Sequence, residues 1–155
     1  KELQYLLDNN IREKGEYQLT NALENMKKKG TKFVPGKVDE WLDCGNKDAT
    51  VYTNKRVLEI NRSSAMIASN VKKENSIIIE PCYIGENVEL KNSIVGPHVS
   101  LGAGSKVENS VVSNSIIQTN AKIKNSVIEN SMIGNAAEYS NAAEQLSLSD
   151  YSTHF

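Results

Sequence analysis

Asn75-Ser76-Ile77-Ile78, Asn92-Ser93-Ile94-Val95, Asn109-Ser110-Val111-Val112 and Asn125-Ser126-Val127-Ile128 are four copies of one phrase, 17, 17 and 16 residues apart. Offset copies at Asn114-Ser115-Ile116-Ile117 and Asn130-Ser131-Met132-Ile133 lie 16 apart. A fixed period of this length means stacked units, each burying its apolar side only against its neighbours. Inside the period runs a shorter beat of about six residues: Ile84-Gly85-Glu86-Asn87-Val88-Glu89 precedes Leu90, and Leu101-Gly102-Ala103-Gly104-Ser105-Lys106 precedes Val107. The beat sorts aliphatic residues into three columns: Ile84, Leu101, Ile117 and Ile133; Leu90, Val107 and Ile123; Val95, Val112 and Ile128. Three columns per turn predict a triangular coil with one short strand on each side, every ladder completed by the coils above and below. Gly85, Gly102, Gly104, Asn87 and Asn120 fall between columns, where corners call for residues that tolerate positive φ.

The pattern resembles the hexapeptide repeat of left-handed parallel β-helices. About four coils fit between Asn75 and Gly134. The left hand is implied by that resemblance, because periodicity carries no handedness and crossovers are ordinarily right-handed. The Asn-Ser recurrence reads as stacked turn residues whose side chains cap backbone groups, with a row of ligand contacts as the alternative.

Composition sets outer limits. The chain has 155 residues, a formal net charge of −1 and 39% hydrophobic content. That suits one domain or two small units, and no charge excess favours a nucleic acid or a membrane surface as partner. No stretch has the length of a transmembrane helix, and the start lacks a signal-peptide pattern. Cys44 and Cys82 lack metal-ligand spacing and read as reduced thiols in a cytoplasmic protein. Lys1 opens directly into a helical pattern without an initiator Met, so the chain is expected to be a fragment of a longer one.

Ahead of the repeat, Leu3, Leu6 and Leu7 mark one face of a helix expected to end near Lys14-Gly15. A second helix is expected from Gln18 to Lys29, with Leu19, Leu23 and Met26 on one stripe, cations in its last turn and Gly30 as its stop. Thr31 to Val34 and Lys37 to Trp41 read as strands around a Pro35-Gly36 turn. A third helix is expected over Lys47 to Ile60, with Val51, Tyr52, Lys55 and Leu58 facing the body.

Two motifs lie here: Gly15-Glu16-Tyr17-Gln18-Leu19-Thr20-Asn21 and Trp41-Leu42-Asp43-Cys44-Gly45. Their order, spacing and the repeat downstream make the chain resemble the C-terminal part of bacterial sugar nucleotidyltransferases, of the glucose-1-phosphate thymidylyltransferase and mannose-1-phosphate guanylyltransferase kind. In that family a Gly-Glu-x-x-Ile/Leu-Thr-Asp segment opens a helix and Trp-x-Asp-x-Gly follows. The resemblance implies a fold that is mainly β, with a small α+β remnant of the catalytic domain ahead of the β-helix. It also implies joining of a nucleoside triphosphate to a sugar 1-phosphate, with release of pyrophosphate. Such transfers depend on positioning and charge neutralisation. By resemblance, Asp43 is the carboxylate for Mg²⁺, Gly45 lets the backbone pass close to the nucleotide sugar, and Glu16 lies toward the sugar. Read from the residues alone, without the resemblance, Asp43 is a charge placed near the start of the third helix. Asn21 replaces the family's Asp.

The family's Gly-rich nucleotide loop, with its Arg and Pro-Lys, has no counterpart, and the second metal carboxylate is missing too. The chain as given is therefore expected not to catalyse nucleotidyl transfer, and the β-helix is expected to serve homo-oligomerisation or regulation. Two other readings stand beside this one. A hexapeptide-repeat acyltransferase would need a His base, and His98 is the sole candidate within the repeat, expected as a surface corner residue. The third reading is a non-catalytic interaction module. The expected divisions are 1–62 for the catalytic remnant, 63–138 for the β-helix and 139–155 for a cap or tail, with a short helix over Ala136 to Leu146.

Overall fold

The computed structural model describes residues 1–64 and 66–142. Three helices come first: α1 (Glu2–Asp8), α2 (Leu19–Lys28) and α3 (Lys47–Ile60). All the strands that follow are two or three residues long and pair in parallel. One sheet holds β1 (Lys72–Glu74), β4 (Glu89–Lys91), β7 (Lys106–Glu108), β10 (Lys122–Lys124) and β13 (Glu138–Ser140). The second holds β2 (Ile77–Ile78), β5 (Ile94–Val95), β8 (Val111–Ser113) and β11 (Val127–Glu129). The third holds β3 (Tyr83–Ile84), β6 (Ser100–Leu101), β9 (Ile116–Ile117) and β12 (Met132–Ile133). The chain visits the three sheets in rotation, so each turn adds one strand to each: a mainly β parallel β-helix of about four coils, which fits the left-handed type.

The registers reproduce the three expected columns. Ile84 pairs with Leu101, Leu101 with Ile117 and Ile117 with Ile133. Leu90, Val107 and Ile123 align in the first sheet, and Ile78, Val95, Val112 and Ile128 in the second. Between Ile84 and Ile128 every column residue is at most 5% exposed. The alternation between 17 and 16 residues has one location. The step from the second sheet to the third takes six residues in the early coils (Ile78 to Ile84, Val95 to Leu101) and five later (Val112 to Ile117, Ile128 to Ile133).

A second inward set was not legible as core, because it is mostly serine. Ser93, Ser105, Ser110, Ser115 and Ser126 are all no more than 4% exposed. Burying a hydroxyl is costly unless it is hydrogen-bonded, and here it is. Ser110 Oγ donates to Glu108 O at 2.7 Å and accepts from Ser126 N at 3.1 Å. Ser93 does the same one coil earlier, and Ser115 at the next corner of the same coil.

The asparagines form the corners. Asn75, Asn92, Asn109 and Asn125 have φ between 44° and 50°, and Asn75, Asn92 and Asn109 each donate through Nδ2 to Oδ1 of the next, at 3.0–3.1 Å. The corner between third and first sheets is Asn87, Gly104, Asn120 and Ala136, all at positive φ. Gly102 is a glycine for a different reason from the one expected. Its φ is not positive; a Cβ there would lie 2.5 Å from Thr119 N of the neighbouring coil. Gly85 is likewise excluded from a side chain by Ala103 N, at 2.7 Å.

Two compact units divide between Trp41 and Leu42, so α3 belongs with the coils and the expected boundary at 62/63 lies inside the second unit. In the first unit α1 contacts α2, Leu6 and Ala22 are the buried apolar residues, and Lys29 bonds both carboxylate oxygens of Glu2 at 2.8 Å. α1 stops at Asp8, earlier than expected, because Asn10 and Lys14 turn to positive φ and Glu13 and Glu16 exchange backbone hydrogen bonds around a tight turn. α2 matches its expected span, with Gln18 and Lys29 as its caps. Residues 31–41 contain no strand: their β-branched and aromatic residues have no ladder partner, and Val34, Val38 and Trp41 are 86%, 66% and 80% exposed. A helix from Ala136 is also corrected. Ala136 is a corner, and β13 continues the first sheet by pairing with β10. The rest of that expected helix, 143–146, lies outside the described residues.

Candidate functional site

Two of the residues that the sequence marks for chemistry, Asp43 and Gly45, lie in the loop ahead of α3, and a third, His98, lies at the seat of that helix. The loop is held at both ends. Asn46 caps α3 by accepting from Ala49 N at 2.9 Å, and Thr53, one turn and a half into the helix, donates to Asp43 O at 2.7 Å. Asp43 Oδ1 accepts from Cys44 N at 2.8 Å. A Cβ on Gly45 would come within 3.2 Å of Asp43 Oδ2, so glycine lets the chain fold back tightly beside the carboxylate. Asp43 is exposed, with Oδ1 taken by the backbone.

Mg²⁺ takes several hard oxygen donors in near-octahedral array. Asp43 supplies one carboxylate, its immediate neighbours Cys44 and Gly45 add no charged oxygen, and among the described residues no three of His, Cys, Asp and Glu gather as metal ligands. The donors present do not by themselves make a Mg²⁺ site. Glu16 lies elsewhere: it is exposed in the Glu13–Glu16 turn of the other compact unit, with Oε2 3.3 Å from Gln18 Nε2. The fold thus brings Asp43 and Gly45 side by side and does not join Glu16 to them within one unit.

The second cluster was not read from the sequence. Helix α3 buries Val51 and Leu58, whereas Tyr52 and Lys55, expected to face the body, are exposed. The polar residues Asn54 and Glu59 take their place. Asn54 receives a 2.6 Å hydrogen bond from Ser100 Oγ and donates to His98 O at 3.3 Å. Glu59 Oε1 lies 2.6 Å from His98 Nε2. Lys47, at the other end of α3, donates to Asn130 O at 3.1 Å. The helix is pinned to the corner between second and third sheets. His98 occupies that corner, as expected, at φ 61°, but its side chain is only 15% exposed and its Nε2 is engaged by the helix. The His98 hydrogen bond holds the Glu59 carboxyl below the usual glutamate range, against a smaller opposing effect of burial.

His98 also breaks an asparagine ladder. Asn114 and Asn130 stack below it and Asn114 donates to Asn130, but where another coil would offer an Asn amide the His ring turns to Glu59. Asn114 Oδ1 is accordingly a buried acceptor without a partner. Cys82, nearby in the core, donates to Ile79 O at 3.0 Å, and burial pushes its thiol upward, away from nucleophilic use.

The third feature is an open groove along the corner of first and second sheets, floored by Asn75, Asn92, Asn109 and Asn125. The amides are committed to one another along the ladder, which accounts for the Asn recurrence structurally. Comparison with known proteins finds no matching family model and no matching curated relative.

Proposed function

We propose that the chain is the C-terminal portion of a sugar-1-phosphate nucleotidyltransferase: a remnant of the catalytic domain followed by a β-helix that serves assembly or regulation. The observation that supports this best is the Trp41-Leu42-Asp43-Cys44-Gly45 loop, tied to α3 through Thr50 and Thr53 and followed directly by the coils. In this reading a sugar 1-phosphate attacks the α-phosphorus of a nucleoside triphosphate in line and pyrophosphate leaves. Asp43 contributes one carboxylate oxygen toward Mg²⁺, Gly45 gives the nucleotide sugar close backbone access, and Glu16 lies toward the sugar. The remaining donors and the nucleotide loop belong to a segment ahead of Lys1, and the setting is the cytoplasm.

Pyrophosphate release is the test. This chain alone shows no turnover with any pairing of triphosphate and sugar 1-phosphate. The same chain extended by its encoded upstream segment turns over one pairing, and Asp43→Asn lowers kcat by about 10²-fold or more, the usual scale for losing a charge-stabilising group. Turnover by the chain alone refutes the fragment reading. An extended protein inert toward every pairing refutes the enzyme reading.

A further inference from the structure

We propose that the outer face of the second sheet is a self-association surface through which two copies of this chain pack coil against coil. The inference rests on the reading that the β-helix serves assembly, and it names the face and the partner. The sheets differ in what they point outward. On the first, charges face out on every coil and pair between coils: Glu89 with Lys72 at 3.0 Å and with Lys106 at 2.9 Å, Lys124 with Glu108 at 3.1 Å. Such a face is satisfied and wet. On the second, the same repeat places Ile77, Ile94, Val111 and Val127 outward in one row, 57%, 38%, 40% and 81% exposed. Ile79, 42% exposed, stands beside them, and the sole charged residue on these strands is Glu129 in the last coil. An aliphatic row repeated on four coils is the kind of patch that marks an interaction surface.

The row itself argues for a second copy as its occupant. It advances by one strand spacing per coil, about 4.8 Å, and sheets stack face to face about 10 Å apart with side chains interdigitated. Another sheet with the same spacing meets it in register, and the nearest such sheet is its own. A two-fold axis along the strands sets Ile77 opposite Val127 of the partner subunit and Ile94 opposite Val111 of the partner subunit. That is the self-complementarity an isologous interface requires. The face lacks the cations that a nucleic acid or an anionic membrane would need. Four strands make it roughly 19 Å tall, and with the ledge of the groove it offers on the order of 500 Å² per copy, below the roughly 800 Å² of a stable complex. The dimer is therefore weak and concentration-dependent.

Sedimentation velocity of the chain over a range of micromolar concentrations tests this, with circular dichroism confirming that each variant is folded. The wild type shows a monomer–dimer equilibrium, Val111→Lys and Val127→Lys each weaken it at least about tenfold, and Lys91→Ser on the first sheet leaves it unchanged. Ile94→Cys and Val111→Cys chains, mixed, form an intermolecular disulfide. A strict monomer overturns both the face and the assembly role. A dimer untouched by the two lysine substitutions, or one equally weakened by Lys91→Ser, overturns the face alone. Failure of the pyrophosphate assay beside an intact, Val111-sensitive dimer removes the enzyme and leaves this interface standing.

Discussion

At a corner of this helix a residue must do two things: hold a left-handed backbone and satisfy groups that the turn leaves open. A left-handed residue with a Cβ costs roughly 1–2 kcal/mol, least for Asn, whose short amide bonds locally. Asn92, at φ 48°, also links the amides of Asn75 and Asn109. Asn92→Ala is expected to destabilise by about 2–3 kcal/mol, strain and ladder together, whereas Asn92→Gly keeps the backbone and loses about 1 kcal/mol. Urea denaturation of the pair measures the difference; equal losses would mean that the ladder, not φ, selects the residue. Ser110 makes the complementary case in the core. Ser110→Ala removes a donor to Glu108 O and orphans Ser126 N, with an expected cost of about 1–3 kcal/mol despite the more apolar side chain.

Helix α3 shows what one element adds to a self-sufficient stack. Its apolar contribution is two residues, Val51 and Leu58, so its hold depends on Asn54 and Glu59. Glu59 lies below the ordinary glutamate value when bonded to His98, and a carboxyl with a depressed folded value stabilises above its unfolded value. That contribution is present at neutral pH and is lost as pH falls below about 4.3, the free glutamate value. Glu59→Gln should therefore flatten the acid limb of α3 stability, followed by amide exchange across 47–60, without moving amides of the inner coils. A limb unchanged in the variant would reassign the acid response to Glu89 and Glu138, which their lysine partners also hold low. The limits of α3 were legible, because a cap residue and apolar spacing are local signals. Its seat was not: His98 lies 39 residues from Glu59 and 44 from Asn54, and no local pattern reports such a pairing. The same physics explains residues 31–41, where strand-like composition without a ladder partner stays irregular, and the Asp43 loop, whose motif was visible while its ties to Thr50 and Thr53 were not.

In a solenoid each coil is stabilised by the coils above and below it, so position along the stack sets the cost of a lesion. Leu101, fully buried between Ile84 and Ile117, should lose about 2–5 kcal/mol on substitution by Ala, and Ile133, half-buried on the last third-sheet strand, distinctly less. The columns were readable because their period is the architecture. The ends of the stack follow a different rule, since open strand edges invite another chain. At the first coil, in register with the buried column of Leu90, Val107 and Ile123, the chain places not an aliphatic residue but Lys73, exposed. A charge in an inward column can be tolerated only where no further coil sits on it. Lys73 at that position is expected to disfavour the addition of another stack to that edge, as charges do on natural edge strands. Lys73→Leu would complete the column and present an apolar edge to the far end of a second molecule, a head-to-tail contact that does not close. The variant should form concentration-dependent polymers in light scattering, distinct from the two-fold dimer because Val111→Lys would not dissolve them. Unchanged scattering by Lys73→Leu would mean that something other than this charge protects the first coil.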